Sequence, residues 1–226
     1  MAKEIHAVLL SILAFMLAIP NSINAAEIIT TEKRIILAPG HGTEDTGIQT
    51  FTNISEHGIT LELVKLVKIE LADGFQVKIP HEHQTEDIAT PLTSDKKKVF
   101  ANQSKADLFI NLHLHQGSTK DTLIFYYDLP GTTAPSPWQS ETLKQKPKSK
   151  KLAETLSGQL KKVGVYKPII YSAPLIPLEG LLMPAILVEV FSISQISESP
   201  NDNTALLQTY AKALADTIRI YFSTSN

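Results

Sequence analysis

The sequence predicts a single α/β domain, with a mixed and mostly parallel sheet flanked by helices. Short apolar runs rich in β-branched residues, at 35–38, 75–79, 106–113 and 184–190, have the length and composition of buried strands. Between and after them lie stretches whose apolar residues recur at helical spacing. Polar, ionisable residues stand close to the C-terminal ends of three runs, namely His41, His113 and Glu189. Open α/β sheets bind ligands along that edge.

Taken in order, the run at 35–38 is stopped by Pro39-Gly40, and Gly42 lets the backbone turn sharply beyond His41. A histidine between two glycines at a strand end points toward a ligand crevice; a surface turn is the other reading of the same residues. Residues 43–55 are polar and read as a loop. Ile59, Leu63, Leu66, Val67 and Leu71 then form the apolar stripe of a helix that Asp73-Gly74 ends. Glu56 falls in its first turn, where a carboxylate suits the macrodipole whether or not it has a chemical role.

The run at 75–79 is a short strand closed by Pro80. His81, Glu82 and His83 follow, but loop positions two apart have no fixed mutual geometry, so they are read as solvated loop. Ser94 is expected to cap a helix to about Ser104, with Lys96, Lys97 and Lys98 forming a solvated face. Residues 106–113 make a central strand closed by His113, with His115 and Gln116 continuing the polar edge, and 122–127 make another strand. Residues 128–148 are rich in Pro, Ser and Thr and are expected to be an irregular insertion with a basic end. Leu152, Leu156, Leu160 and Val163 mark a helix stopped by Gly164. The strand at 184–190 carries Glu189, an ionisable group that is costly there unless paired or beside a site. Residues 204–222 form a long amphipathic helix with Leu206, Leu207, Tyr210, Leu214, Ile218 and Tyr221 inward.

Composition bounds the function. In the 226 residues the formal charge is −2, which gives no electrostatic footprint for nucleic acid. There is no cysteine, hence no disulfide and no thiolate for metal or catalysis. Lys3, the apolar block at 7–20 and Asn24-Ala25-Ala26 follow the order of a secretory signal peptide, expected to span 1–25. The block falls short of the roughly 20 apolar residues of a membrane span, so no stable insertion is expected after cleavage; a retained N-terminal anchor is the alternative. The mature domain would then cover 26–226, exported to the periplasm or the extracellular cell envelope.

If the three strands are parallel and adjacent, His41, Glu56, His113 and Glu189 meet above one sheet edge. Two histidines and a carboxylate make a zinc set with a fourth position open, and a further carboxylate supplies the proton carrier of metal-assisted hydrolysis. The segments Ala-Pro-Gly-His41-Gly, Glu56 with its helix, Ala101-Asn102 through Ala-Asp-Leu-Phe-Ile-Asn-Leu-His113, and Pro-Ala-Ile-Leu-Val-Glu189 resemble one family over nearly the whole mature chain. It is that of the zinc-dependent N-acetylmuramoyl-L-alanine amidases, which cut peptidoglycan stem peptides from the glycan. The resemblance implies Zn²⁺ held by His41, Glu56 and His113, Glu189 as the catalytic carboxylate, and peptidoglycan as the partner. Against the family pattern stand Ala38 for Asp, His57 for Lys, Lys97 for Arg, His115 for Asn and Phe191 for Gly. Phe191 is expected to crowd the site, and His115 or Lys97 to face the oxyanion. A wall-binding protein without useful turnover and a zinc peptidase acting on another amide are the alternatives. No appended wall-binding segment is visible, so targeting is expected from the domain itself or from an activator.

Overall fold

Residues 35–38 are fully buried, and the strand that they form, β1 (Lys33–Pro39), is paired on both sides. The computed structural model describes residues 32–80 and 92–224. The segment predicted as a signal peptide and the His81-Glu82-His83 cluster lie outside the described residues. After β1 come α1 (Glu56–Glu70), β2 (Phe75–Lys78), α2 (Ser94–Gln103), β3 (Leu108–His115) and β4 (Thr122–Tyr127). Helices α3 (Pro137–Lys144) and α4 (Lys146–Lys162), strands β5 (Pro168–Ala173) and β6 (Ala185–Ser192), and α5 (Pro200–Ser223) complete the chain.

The sheet order is β2-β1-β3-β6-β4-β5. Strands β2, β1, β3 and β6 run parallel, β4 is antiparallel to β6, and β5 is parallel to β4. This is the mixed, mostly parallel sheet that the sequence predicts. The chain moves outward from β1 to β2 and then returns to place β3 on the other side of β1. The carboxyl ends of β1 and β3 therefore flank a topological switch point, where such sheets open a crevice.

Alternation along the strands divides the core. Ile35, Leu37, Leu108, Ile110, Ile186 and Val188 face a cluster built with Leu63 and Val67 of α1, Leu156 of α4 and Leu214 and Ile218 of α5. Ile36, Ala38, Phe109 and Leu187 face a smaller cluster with Ala101 of α2 and with Leu178 and Leu181. Helices thus cover both faces, as a parallel sheet requires.

Several local expectations are corrected. The N-cap of α2 is Thr93, whose hydroxyl accepts from the Lys96 N–H, with Ser94 as the first helical residue. The stretch 128–148 is not irregular throughout: the Ser136 N–H donates to Gln139 Oε1 at 2.9 Å over the start of α3, with Pro137 as its first residue, and α4 begins at Lys146. Proline in a first turn costs no hydrogen bond, so Pro137 and Pro147 are helix starts, while Pro130 and Pro135 stay outside helices.

Phe191 is the most consequential correction. Between His113↔Glu189 and His115↔Ser192, β6 carries one more residue than β3. Such a bulge shifts the facing of the side chains that follow. Phe191 is consequently fully buried in the larger cluster, its ring 5.2 Å from that of Tyr210 on α5. It does not crowd the candidate site.

Candidate metal centre

His41 follows β1 in a left-handed conformation, φ +53°. Such a value is uncommon outside glycine, and it is found where surrounding contacts over-determine the backbone. Those contacts are present. The Lys97 ammonium donates to the carbonyls of Pro39 at 2.7 Å and His41 at 2.8 Å. His57 donates from Nδ1 to the Gly40 carbonyl at 2.9 Å. Lys97 is 3% exposed, against the expected solvated face, and burial lowers its pKa to about 8. Burial likewise lowers the pKa of His57, which keeps that imidazole neutral with its proton on Nδ1.

Two glycines are required by close approach. A Cβ on Gly40 would stand 2.8 Å from His113 Nδ1; one on Gly47 would stand 2.5 Å from His41 Cδ2 and 2.6 Å from Glu56 Oε2. Gly47 also has φ +71°. The backbone at these points forms the wall of the centre.

Glu56 opens α1 behind the N-cap Ser55, whose hydroxyl accepts from the Gly58 N–H. Its carboxylate is 1% exposed. Oε1 accepts from His113 Nδ1 at 2.9 Å and from the Leu114 N–H at 3.1 Å. Oε2 accepts from the Ile48 N–H at 3.2 Å and lies 3.2 Å from His41 Nε2. Burial alone would raise its pKa; the bonds from His113, His41 and Leu114 reverse that and hold it well below the carboxylate range. A helix-start acid with no other role would not be sunk among two imidazoles and two amides.

His41 Nδ1 in turn lies 2.9 Å from Asp45 Oδ2. Its imidazole is thus held between two carboxylates, which raise its pKa to about 9, Glu56 contributing more than Asp45. The ligand atoms offered by His41, Glu56 and His113 all lie within 4.8 Å of one another, so the three could hold a metal ion. A buried carboxylate that favours the protonated form of the imidazole facing it has the charge pattern of a cation site. The residues fit.

Glu189 stands outside this ligand group. It is the register partner of His113 on β6, with Leu123 of β4 on its other side. Burial raises its pKa, partly countered by the nearby His115 and His113. A cavity of about 240 Å³ opens beside the centre, lined by His41, His113, Lys97, Thr93, Glu44 and Pro177. The groups expected at an oxyanion are engaged elsewhere: His115 Nε2 bonds the Asp121 carbonyl, and Lys97 spends two donors on backbone carbonyls.

The structure therefore brings together His41, Glu56 and His113, and sets Glu189 opposite the last. Sequence reasoning missed Asp45, Lys97 and His57 as braces. A carboxylate four residues beyond His41 was the one available signal, and it was hidden in a loop read as merely polar.

Comparison with known proteins agrees with this geometry. The family model described as N-acetylmuramoyl-L-alanine amidase matches residues 35–219. The endolysin of Bacillus phage SPP1 is 28% identical over 167 residues, covering 74% of this chain; the chain spans 57% of that endolysin's length. Among solved structures, the amidase Ami1 of Mycobacterium smegmatis has a TM-score of 0.65 at 18% identity, covering 85% of this chain and 98% of that one. The catalytic domain of CwlV, an amidase of Bacillus (Paenibacillus) polymyxa, has a TM-score of 0.61 at 18% identity, covering 85% and 99%. The structural likenesses show the fold, and the family match over most of the chain shows descent. This chain belongs to the N-acetylmuramoyl-L-alanine amidase family.

Proposed function

We propose that the protein is a zinc-dependent hydrolase of the amide joining the muramic lactyl group to L-alanine in peptidoglycan. The observation that carries this reading is the convergence of His41, Glu56 and His113 at the switch point, with Glu189 facing His113 from the next strand. Two imidazoles and one carboxylate leave one tetrahedral position open, which is the donor set of hydrolytic zinc. Zinc held there would polarise the amide carbonyl and make water a better nucleophile near neutral pH. Glu189 accepts the proton of the attacking water and returns it to the leaving amine of L-alanine. A carboxyl whose pKa burial has raised suits both transfers. Asp45 fixes the His41 tautomer so that Nε2 faces the centre, and Lys97 and His57 hold the turn that carries it.

The alternative of a wall binder without turnover rested on Phe191, and its burial in the core removes that ground. Action on the wall calls for export, with cleavage near Ala26; N-terminal sequencing of envelope protein would give that start. The CwlD amidase of Clostridioides difficile is solved in complex with the GerS lipoprotein. A partner that activates this chain is open to a pull-down from envelope extract. The reaction itself is tested by digesting purified peptidoglycan. New free L-alanine amino termini and intact glycan are expected; ends within the stem peptide would make the protein a peptidase instead.

A further inference from the structure

Two cavities stand near the candidate centre, and their linings differ. The first, already described, opens toward α2 and the Pro177 loop, over the smaller core cluster. The second, of about 450 Å³, opens over the larger cluster, beside the 48–51 turn and the residues that follow β6. Its volume is that of a small-molecule site, roughly 300–1,000 Å³. Among the described residues its polar lining is made of amides and hydroxyls, Gln49, Thr50, Gln116 and Ser194, with one carboxylate, Glu198, and no cation. Phe51 stands at its rim, wholly exposed. The turn is firmly built: Gln49 and Ser55 form an antiparallel bridge, the Asn53 N–H donates to the Thr50 carbonyl, and Asn53 takes φ +63°. An aromatic ring held out on a braced turn gains nothing for the core.

The second cavity is tied to the centre through Ile48, one of its lining residues. The Ile48 N–H donates to Glu56 Oε2, and Gln116 stands three residues beyond His113, roughly 10 Å along an extended chain. That is the reach of a sugar ring or two from the reacting carbonyl, and too far for the lactyl group itself.

We infer that the Phe51 cavity is a neutral-saccharide subsite that receives the glycan strand, Phe51 stacking on a sugar face while Gln49, Gln116 and Ser194 bond its hydroxyl and acetamido groups. This rests on the amidase reading for the identity of the substrate. With its lactyl carboxyl tied up in the amide, the glycan carries no charge there, whereas the peptide carries free carboxylates. A carboxylate in this cavity would meet Glu198 with no cation to offset it. The other cavity holds two carboxylates, Glu44 and Asp45, beside Lys97, whose ammonium is already bonded to two carbonyls, so the contrast rests on the cation-free lining of the Phe51 cavity alone.

The test is calorimetric titration of the whole protein with N-acetylglucosamine tetrasaccharide, and separately with a free stem tetrapeptide. Phe51→Ala removes a fully exposed side chain, so the fold is not at risk, and Trp138→Ala controls for loss of another exposed aromatic. Expected is saccharide binding that Phe51→Ala weakens about tenfold or more and Trp138→Ala leaves intact, with peptide binding unchanged by either. No saccharide binding, equal affinity in Phe51→Ala, or loss of the peptide instead would overturn the assignment. Binding needs no turnover, so a protein that binds saccharide through Phe51 yet frees no alanine termini would sink the amidase reading alone.

Discussion

Lys97 lies on one element and fastens another: its ammonium, on α2, is bonded to the carbonyl of His41, the first residue beyond the Pro39-Gly40 turn. Only a long cationic side chain reaches from that helix to both the Pro39 and His41 carbonyls. Lys97→Met leaves those carbonyls short of a donor, at roughly 1–3 kcal/mol, offset in part because no ammonium is then buried. The His41 turn loosens more than the fold does. Zinc titration should show affinity down by about tenfold or more, while Lys97→Arg retains most of it. Unchanged zinc affinity in Lys97→Met would make this residue a structural cation only.

Asp45 should act through the imidazole. Its Oδ1 accepts from the Gly47 N–H at 3.1 Å, which aims Oδ2 at His41 Nδ1. Asp45→Asn keeps the shape but loses the charge that fixes the tautomer. Losing such a partner lowers metal affinity by roughly 10–100-fold. Competition against a chromogenic chelator would measure it; an affinity within a factor of two of wild type would contradict the role.

The metal-free protein should respond to pH through His41. Its folded pKa, raised to about 9 by the Glu56 and Asp45 carboxylates, exceeds its ordinary value of 6.5. A raised pKa gives stability that is fully present below 6.5 and lost as pH climbs through 9. The Glu56 carboxyl, lowered in the fold, contributes in the opposite direction and loses its share in acid. Thermal melts of chelator-treated protein should therefore fall between pH 6.5 and 9.5. Zinc must displace the same proton, so its affinity should rise over that window. A flat profile in both would contradict the paired imidazole.

Phe191 makes a prediction against the family pattern, in which glycine holds that place. Because the ring is core, Phe191→Ala should cost about 3–5 kcal/mol in urea unfolding rather than open the site. Faster hydrolysis by a stable variant would show that the side chain does face the substrate.

Much of this was legible in the sequence, for identifiable reasons. Helices α1 and α5 each bury one regular stripe, so period alone placed Leu63 and Leu214, while the unbroken apolar run at 35–38 marked β1 as buried on both faces. The triad was legible because His41 and His113 each stand near the carboxyl end of a strand and Glu56 at a helix start. What escaped depended on contacts far apart in the chain. Lys97 was read as solvated because its neighbours Lys96 and Lys98 share its charge, and its carbonyl partners lie 58 and 56 residues away. Phe191 was misplaced because a one-residue bulge reverses facing without leaving a mark in composition.

Glu189 tests the central claim most directly. Glu189→Gln keeps the shape and one acceptor oxygen at the register position opposite His113, but cannot carry a proton. The measurement is zinc content and peptidoglycan hydrolysis on the same folded preparation. Expected is about one zinc per chain, as in wild type, with turnover lower by about 10²–10⁴-fold. A folded, zinc-loaded Glu189→Gln protein that hydrolyses peptidoglycan at the wild-type rate would contradict that claim.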